Sequence, residues 1–566
     1  MSEAKYSEQE PLKLTPVDEI YRRSSTGRVA VIATLVKYVL PLVILAIGSY
    51  LLRDFRYLLA GAFELLAIFI LANSLAKRNR VLATVIGGIA MLVFNVQAVV
   101  LVFASGYVSP IMLSNIFNLE DLAGKALLYG AGAVVAVVLS FLPVAHLDRF
   151  EIKHTVAAIA VAVACEVVAL LGIGSDYAPV ASTAILLDQW MQYQQMMDKV
   201  RGDGTGTSPE LTPYFQMEVP GGVSKPAALS GQPNVVVIFT EGLSQQIVDD
   251  KRNIMPNVAA YQQRSLNFAG YYNHTAATFR ALNGQLYSGY QLNDLDANAL
   301  ISIQDILGDQ GYHTALVNTE PFYAEWTNYL EMMGFDELVN ESSTGTYSIE
   351  SVTNNKMSDG EAYQTLQATM ERCAESDQPF FVAMYTFGTH ASLDSPEEKF
   401  KDGSSPMLNK FYNCDYQFGQ FMQWFEQSEF FDNTIVVFTA DHATYNELDF
   451  TTAFPKYERA HYFCDTIPYF YFFKGVEASE VDANGRTTLD FAPTLLDFLD
   501  VSAPNCFLGR SLFLDDDPND LDSTYSDTNL ITTSTDGEIL YPEGEELEDL
   551  RNRINDYLTY SRIPLD

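Results

Sequence analysis

Positive charge is scarce in this chain. Of 566 residues, 34 are Lys or Arg against 71 Asp or Glu, a formal net charge of −37. A surface that acidic repels polyanions, which excludes nucleic acid as a partner class. Cysteine is scarce too: Cys165, Cys373, Cys414, Cys464 and Cys506 are the full set. No two lie close enough in sequence to make a paired-thiolate metal motif, and the last four neither demand nor exclude disulfides. Histidine is limited to seven residues.

The acidity is unevenly spread. Residues 1–180 carry 14 basic and 13 acidic side chains, and the remainder carries 20 and 58. Solubility or a salty habitat explains such a surface more simply than a specific cationic partner. A chain of this length exceeds one core, so two or more domains are expected.

The nearly neutral first part contains apolar runs at about 29–52, 57–76, 81–105, 126–146 and 154–175. Each approaches the ~20 residues that cross a bilayer as a helix. Arg22, Arg23 and Arg28 precede the first run, Lys77, Arg78 and Arg80 follow the second, and Arg149 and Lys153 follow the fourth. The positive-inside rule puts the N-terminus in the cytoplasm and, after five crossings, everything beyond ~180 outside. A cleaved signal peptide does not fit a first run that begins after ~28 residues and is followed by four more. Glu64 and Glu166 fall inside spans, where a carboxylate is either functional or faces the bundle.

The segment "TAILLDQWMQYQQMMDKV" has apolar residues at helical spacing and reads as an interfacial helix. It leads into "RGDGTGTSPE" and "VPGGVSKPAALSGQP", Gly/Ser/Pro-rich stretches that mark a boundary. From Asn234 the pattern alternates. "NVVVIFT" (234–240), "HTALVN" (313–318), "FFVAMYTF" (380–387), "TIVVFTA" (434–440) and "PYFYFFK" (468–474) read as buried strands, with helical stretches such as 360–373 and 409–428 between them. This is an α/β pattern: a mainly parallel sheet with helices on both faces. In such sheets chemistry gathers at the carboxyl ends of the strands.

Those ends carry Glu241 after the first strand, His390 after the third, and Asp441 with His442 after the fourth. Any one of them alone is more often a cap or a solvated group. Together, two carboxylates and an adjacent imidazole suit a divalent ion with mixed oxygen and nitrogen ligands. The stretch "NHTAATFR" offers hydroxyls at Thr275 and Thr278, followed by Arg280. A threonine hydroxyl needs activation, which a metal can supply, and the helix expected to follow would aim N–H groups at an anion. Either threonine could instead cap that helix.

Strand–Glu, Thr before a helix, Thr-His after a strand and Asp-His after a strand, in that order, resemble the alkaline phosphatase/sulfatase superfamily. Within it, the chain is most similar to the lipoteichoic acid synthase family, polytopic enzymes with five spans and an extracellular phosphotransferase domain. The likeness covers topology as well as motifs, from about residue 30 to 515. It includes "DYQFGQFMQWFEQSEFFDNTIVVFTADH" (415–442) and the tail "DFAPTLLDFLDV…FLGRSLF".

The resemblance implies Glu241, Thr278, Asp441 and His442 as metal ligands, Thr278 as nucleophile and His390 as a substrate-site histidine. Thr278 is preferred to Thr275 because its interval to Ser288 fits the family's spacing. His461 is a second candidate substrate histidine, and Arg280 a phosphate-binding one. The segment 443–468 departs from the synthase pattern. The Cys/Ser-x-Pro-x-Arg unit of sulfatases has no match here, which points away from sulfate esters and toward a phosphothreonine.

The expected organisation is a cytoplasmic tail (1–28), a five-helix transmembrane domain (29–176), an interfacial helix and linker (177–233), a sulfatase-like catalytic domain (234–515) and an acidic C-terminal extension (516–566). The resemblance implies a cell-membrane phosphotransferase of cell wall biogenesis, with its catalytic domain outside. It would carry one divalent metal, Mn2+ favoured and Zn2+ or Mg2+ the alternatives. The donor would be a phosphatidylglycerol-like phospholipid and the acceptor a cell-surface glycan or polymer. A phosphoethanolamine transferase is the second reading, although "TFRALNG" differs from the stretch such enzymes carry after the nucleophile. A hydrolytic sulfatase or phosphodiesterase is the third, and a degenerate binding module the alternative outside catalysis.

Overall fold

The computed structural model describes residues 28–76, 79–104, 106–108, 113, 126–142, 152–202, 213–290, 300–321, 324–351, 354–391, 393–459, 461–515, 523–526, 529–533 and 539–560. These residues fall into two compact units, one built from 1–109 and 127–188 and the other from 110–126 and 189–566.

The first unit is helical: α1 (Arg28–Leu51), α2 (Arg56–Ala76), α3 (Arg80–Ala104), α4 (Ala126–Ser140), α5 (Ile152–Val167) and the start of α6 (Pro179–Gly202). Four stretches are long and apolar enough to cross a membrane: Ile32–Leu51, Arg56–Ala76, Val81–Phe103 and Val156–Tyr177. The five crossings expected from sequence are therefore corrected to four among the described residues. The apolar run at 126–146 yields the 15-residue helix α4, and residues 143–146 of that expected span lie outside the described ones. At 1.5 Å per residue α4 reaches about 22 Å, short of a ~30 Å hydrocarbon core. The cytoplasmic tail, 1–27, also lies outside the described residues.

Among the described residues, two charges are buried in this unit, Lys37 and Glu64, and each is matched to a helix end. Glu64 on α2 accepts from the backbone N–H of Val180 (2.7 Å) and Ala181 (3.0 Å), the first turn of α6. Lys37 on α1 donates to the carbonyl of Leu142, in the turn that closes α4, at 3.0 Å. An anion at a helix N-terminus and a cation at a C-terminus complement the helix dipole and its unsatisfied backbone groups. Asn95 donates to Ser140 Oγ at 2.8 Å, a further polar tie between α3 and α4.

The second unit is built on an eight-stranded sheet in the order β4-β3-β5-β1-β6-β7-β2-β8. The strands are β1 (Asn234–Thr240), β2 (Leu266–Ala269), β3 (His313–Val317), β4 (Glu337–Val339), β5 (Phe380–Tyr385), β6 (Thr434–Ala440), β7 (Tyr469–Phe472) and β8 (Ser479–Asp482). All neighbouring pairs are parallel except β7 with β6 and with β2. The mainly parallel sheet expected from sequence is thus the observed one. β1 reads as an unbroken apolar run because Val235 through Phe239 are fully buried, as parallel strands covered on both faces must be. β1 pairs with β5 and β6, Phe239 aligning with Tyr385 and Thr439, so the chain segments leaving these three strands emerge side by side.

The longer helices of this unit are α7 (Pro256–Gln262), α8 (Thr278–Tyr287), α9 (Ile303–Asp309), α10 (Ala324–Glu331), α11 (Asp359–Cys373), α12 (Pro406–Gln427), α13 (Phe491–Phe498) and α14 (Gly544–Tyr560), with short ones at Gln245–Val248 and Leu448–Ala453. The linker is fastened to its own unit: Gly222 N–H donates to Asp497 of α13 at 2.8 Å, and Gln216 bridges to Asn505. The acidic extension carries a second, antiparallel sheet, β9 (Ser523–Ser526), β10 (Asn529–Thr533) and β11 (Ile539–Leu540), before α14. All five cysteines are buried free thiols.

Candidate active site

Three adjacent strand ends deliver the side chains. Glu241 follows β1, Asp441 and His442 follow β6, and all three are at most 4 % exposed. One ligand atom from each lies within 4.8 Å of the others. His442 Nε2 is 3.5 Å from Glu241 Oε1 and 3.6 Å from Asp441 Oδ2. His442 Nδ1 faces the Ala443 carbonyl at 2.9 Å, so its N–H donates there and Nε2 keeps its lone pair for the cluster. Asp441 Oδ1 accepts from the N–H groups of Gly242 (2.8 Å) and His442 (2.6 Å). Its Oδ2 is buried with no hydrogen-bond partner. Gly242, at φ +48°, makes the turn that brings its N–H back to Asp441.

Burial, then the neighbouring Asp441, pushes the Glu241 carboxyl well above its usual range. Two buried carboxylates, an orphaned carboxylate oxygen and a correctly disposed imidazole nitrogen fit a divalent cation, which would relieve that cost. A second group of ligand-type residues, His313, Glu337 and Cys373, lies elsewhere. There Arg372 already occupies Glu337 at 2.5 Å, and burial raises the Cys373 thiol to about 11.

Thr278 joins the first cluster. Its hydroxyl donates to Glu241 Oε2 at 2.9 Å. The helix-capping alternative is not what the structure adopts. The N-cap of α8 is Ala277, no side chain caps that end, and Thr278 is the first helical residue. Thr275 is 4 % exposed, and its hydroxyl faces the carbonyl of Ala276 at 3.4 Å. Ala277 sits at φ +83°, ψ 128°, a conformation that costs an L-residue of order 1–3 kcal/mol and persists only where the surroundings enforce it. The first intrahelical bond runs from Ala281 N–H to the Ala277 carbonyl at 3.0 Å, so the N–H groups of Thr278 and Phe279 have no acceptor within the helix. Arg280, two residues on, is 2 % exposed.

His390 ends the loop after β5. Its ring stacks on Phe387 (centroids 4.8 Å apart, 11° between planes), and Nδ1 faces the Ala391 carbonyl at 3.2 Å. Burial and the nearby Lys410 ammonium lower its pKa to about 4, so it is neutral at pH 7. Lys410, from α12, donates to the His390 carbonyl at 3.0 Å. Asp359, at the start of α11, accepts from Gly388 N–H at 3.2 Å, and burial with Glu397 nearby raises its carboxyl to about 7.

The sequence reading gave no role to the residues that fix the cluster. Thr386 Oγ1 accepts from Glu241 N–H at 3.1 Å, and the Thr389 hydroxyl donates to the Glu241 carbonyl. Their signal was visible as two threonines in "TFGTH" after a buried strand. Tyr445 was missed too; its ring stacks on His442 (5.0 Å, 20°) and in turn on Tyr462 (5.7 Å, 6°). His461 is placed differently from the other candidates. It packs against Phe463 (4.4 Å) and Tyr541 (6.1 Å), and burial lowers its pKa to about 4.

Residues 233–501 match the family described as Sulfatase. The fold is similar to that of a protein in the alkaline phosphatase superfamily from Vibrio parahaemolyticus, 21% identical, with 65% of this chain and 95% of that one covered at a TM-score of 0.50. Lipoteichoic acid synthase LtaP from Listeria monocytogenes aligns at 16% identity, 65% and 99% coverage and TM-score 0.48. The integral membrane lipooligosaccharide phosphoethanolamine transferase EptA from Neisseria meningitidis aligns at 14%, 74% and 84%, and 0.45. The sulfatase domain begins one residue before β1 and ends three residues after α13. It therefore holds all seven candidate residues and leaves the β9–β11 sheet and α14 outside.

Proposed function

We propose that this chain is a membrane-anchored, metal-dependent phosphotransferase that moves a glycerophosphate-type group from a phospholipid to a cell-surface acceptor through a phosphothreonine at Thr278. The observation that carries the reading is the 2.9 Å hydrogen bond from Thr278 to Glu241, inside the Glu241–Asp441–His442 cluster. Glu241, Asp441, His442 and the Thr278 oxygen would hold one divalent cation, Mn2+ by preference, with Zn2+ or Mg2+ as alternatives. When bound, it would supply Lewis-acid polarisation of the phosphoryl oxygens and a lowered pKa for the hydroxyl.

Thr278 Oγ attacks the head-group phosphorus, and the bond from phosphorus to the diacylglycerol oxygen breaks. The hydroxyl proton leaves toward the Glu241 side, and the diacylglycerol oxygen takes up a proton from water. The N–H groups opening α8 face developing negative charge on the phosphoryl oxygens, and Arg280 adds positive charge beside them. Because His390 is neutral, its role is to orient and accept: it takes the proton of the incoming acceptor hydroxyl as that oxygen displaces Thr278, whose oxygen takes back the proton left on the Glu241 side. The apolar helices of the first unit keep the domain at a bilayer that supplies the donor, which raises its local concentration. On this reading the domain lies on the extracellular face, which from a cytoplasmic N-terminus requires the 126–146 run to complete a fifth crossing.

The test is to incubate the full chain with Mn2+ and labelled phosphatidylglycerol or phosphatidylethanolamine and to map the adduct by mass spectrometry. Glycerophosphate on Thr278 is the expected result. Phosphoethanolamine there would replace the donor, and no adduct with turnover unchanged in Thr278→Ala would overturn the mechanism.

A further inference from the structure

The C-terminal extension lies outside the sulfatase domain in sequence, yet it grips the segment that presents Thr278. The Thr524 hydroxyl of β9 donates to the Asn273 carbonyl at 2.6 Å. The Tyr290 hydroxyl donates to the Ser523 carbonyl at 2.7 Å. These two bonds fall five residues before Thr278 and three residues after α8 ends, one on each side of the nucleophile. Tyr557 of α14 is fully buried against Gly289: a Cβ on that glycine would fall 1.9 Å from the Tyr557 hydroxyl oxygen. Ile531 of β10 completes a small apolar core with Tyr272, Ala276, Phe463 and Cys464. Tyr445, which stacks on His442, packs against that core as well.

We infer that the extension is a clamp that sets the position of Thr278 relative to Glu241 and His442, and that Thr524, Ile531 and Tyr557 are positioning residues. The reason for such a clamp is at Ala277. Its backbone is held at φ +83° with no side-chain cap on α8, so the helix start has little local reason to stay where it is. The segment has further fastenings: His274 N–H donates to Thr488 Oγ1 at 2.9 Å, the Ser288 hydroxyl to the Leu489 carbonyl at 2.6 Å, the Gln285 amide to the Ala440 and Asp441 carbonyls at 3.2 Å, and Leu508 N–H to the Ser288 carbonyl at 2.8 Å. The extension adds its two bonds to these, at Asn273 and Tyr290. Bond strength alone does not make this a clamp; its placement on both sides of a nucleophile that follows the strained Ala277 does. A misplacement of about 1 Å at a reacting oxygen can cost on the order of 100-fold in rate.

This inference rests on Thr278 as nucleophile, and its test separates the two. Full-length Thr524→Val, Thr524→Ser and Ile531→Ala are compared with the parent in detergent by hydrogen–deuterium exchange and by turnover of labelled phosphatidylglycerol with Mn2+. Thr524→Val and Ile531→Ala should raise exchange within 272–290 by about tenfold or more and lower kcat by a similar factor, with KM within about twofold. Thr524→Ser should restore both. Unchanged exchange in 272–290, or a rise spread evenly over 234–501, overturns the clamp. If the parent turns over no lipid, the proposed function fails while exchange still decides the clamp by the same two outcomes.

Discussion

Thr278 and Glu241 come from opposite ends of a 37-residue excursion, and the hydroxyl of one meets a carboxylate oxygen of the other at 2.9 Å. Glu241 is itself held from two sides by Thr386 and Thr389. The acceptor is therefore fixed independently of the donor. Replacing Thr278 with Ala should abolish the covalent adduct and reduce turnover by about 1,000-fold or more, whereas Thr278→Ser should keep measurable activity. Intact-mass measurement after a lipid pulse checks this.

Cation removal tests the cluster. A divalent ion would stabilise the unpartnered Asp441 Oδ2 and the Glu241 carboxylate, so on the proposed reading chelation should lower the melting temperature and added Mn2+ should raise it with concentration. Asp441→Asn keeps the size of the side chain but not its charge. Its melting temperature should no longer respond to Mn2+, as differential scanning fluorimetry would show.

His274 gives a pH prediction of definite sign. It is completely buried with Nδ1 against Thr488, and burial lowers its pKa from 6.5 to about 3. The unfolded chain binds this proton below pH 6.5 and the native one does not, so stability from this site is complete above 6.5 and falls as pH drops toward 3. The slope approaches about 1.4 kcal/mol per pH unit in mid-window. Asp359 and Asp415, raised by burial to about 7 and about 6, act oppositely: their folded forms hold protons more tightly, which favours the native state as pH falls. Denaturation of the parent and His274→Asn at pH 7.5, 6 and 5 isolates the His274 contribution; the difference between them should shrink as pH falls.

Lys356 and Glu320 form a buried ion pair, their side chains 1 % and 10 % exposed. Lys356→Met alone leaves a carboxylate without its counter-charge and should cost about 3–5 kcal/mol. The double variant Lys356→Met/Glu320→Leu should recover much of that loss. Chemical denaturation of the two variants against the parent checks it.

The strands most legible in the sequence were the ones buried on both faces. β1 and β6 were read to the residue because nothing polar interrupts them, and Glu241 and Asp441-His442 followed as the first polar groups beyond. The short strands β2, β4 and β8 were not read, since "LNFA", "ELV" and "SEVD" are too brief and too polar to show a period; pairing with neighbours makes them strands. Thr278 was legible from its surroundings, but its position as the first helical residue after a strained Ala277 was not, because that φ is imposed by tertiary contacts. The clamp was hidden for the same reason. Thr524 and Asn273 are 251 residues apart, and composition reports only that the extension is acidic.

The two buried charges of the helical unit have a consequence for biogenesis. Lys37 is balanced by the end of α4 and Glu64 by the start of α6, helices that are synthesised long after α1 and α2. If α1 and α2 cross a bilayer, each would carry a charge without that partner in hydrocarbon until those later helices arrive, a cost of several kcal/mol. The first two spans are therefore poor residents of a bilayer by themselves. They become settled only when the last membrane helices dock, so a chain truncated before α6 would be held with its insertion incomplete and open to quality-control proteolysis.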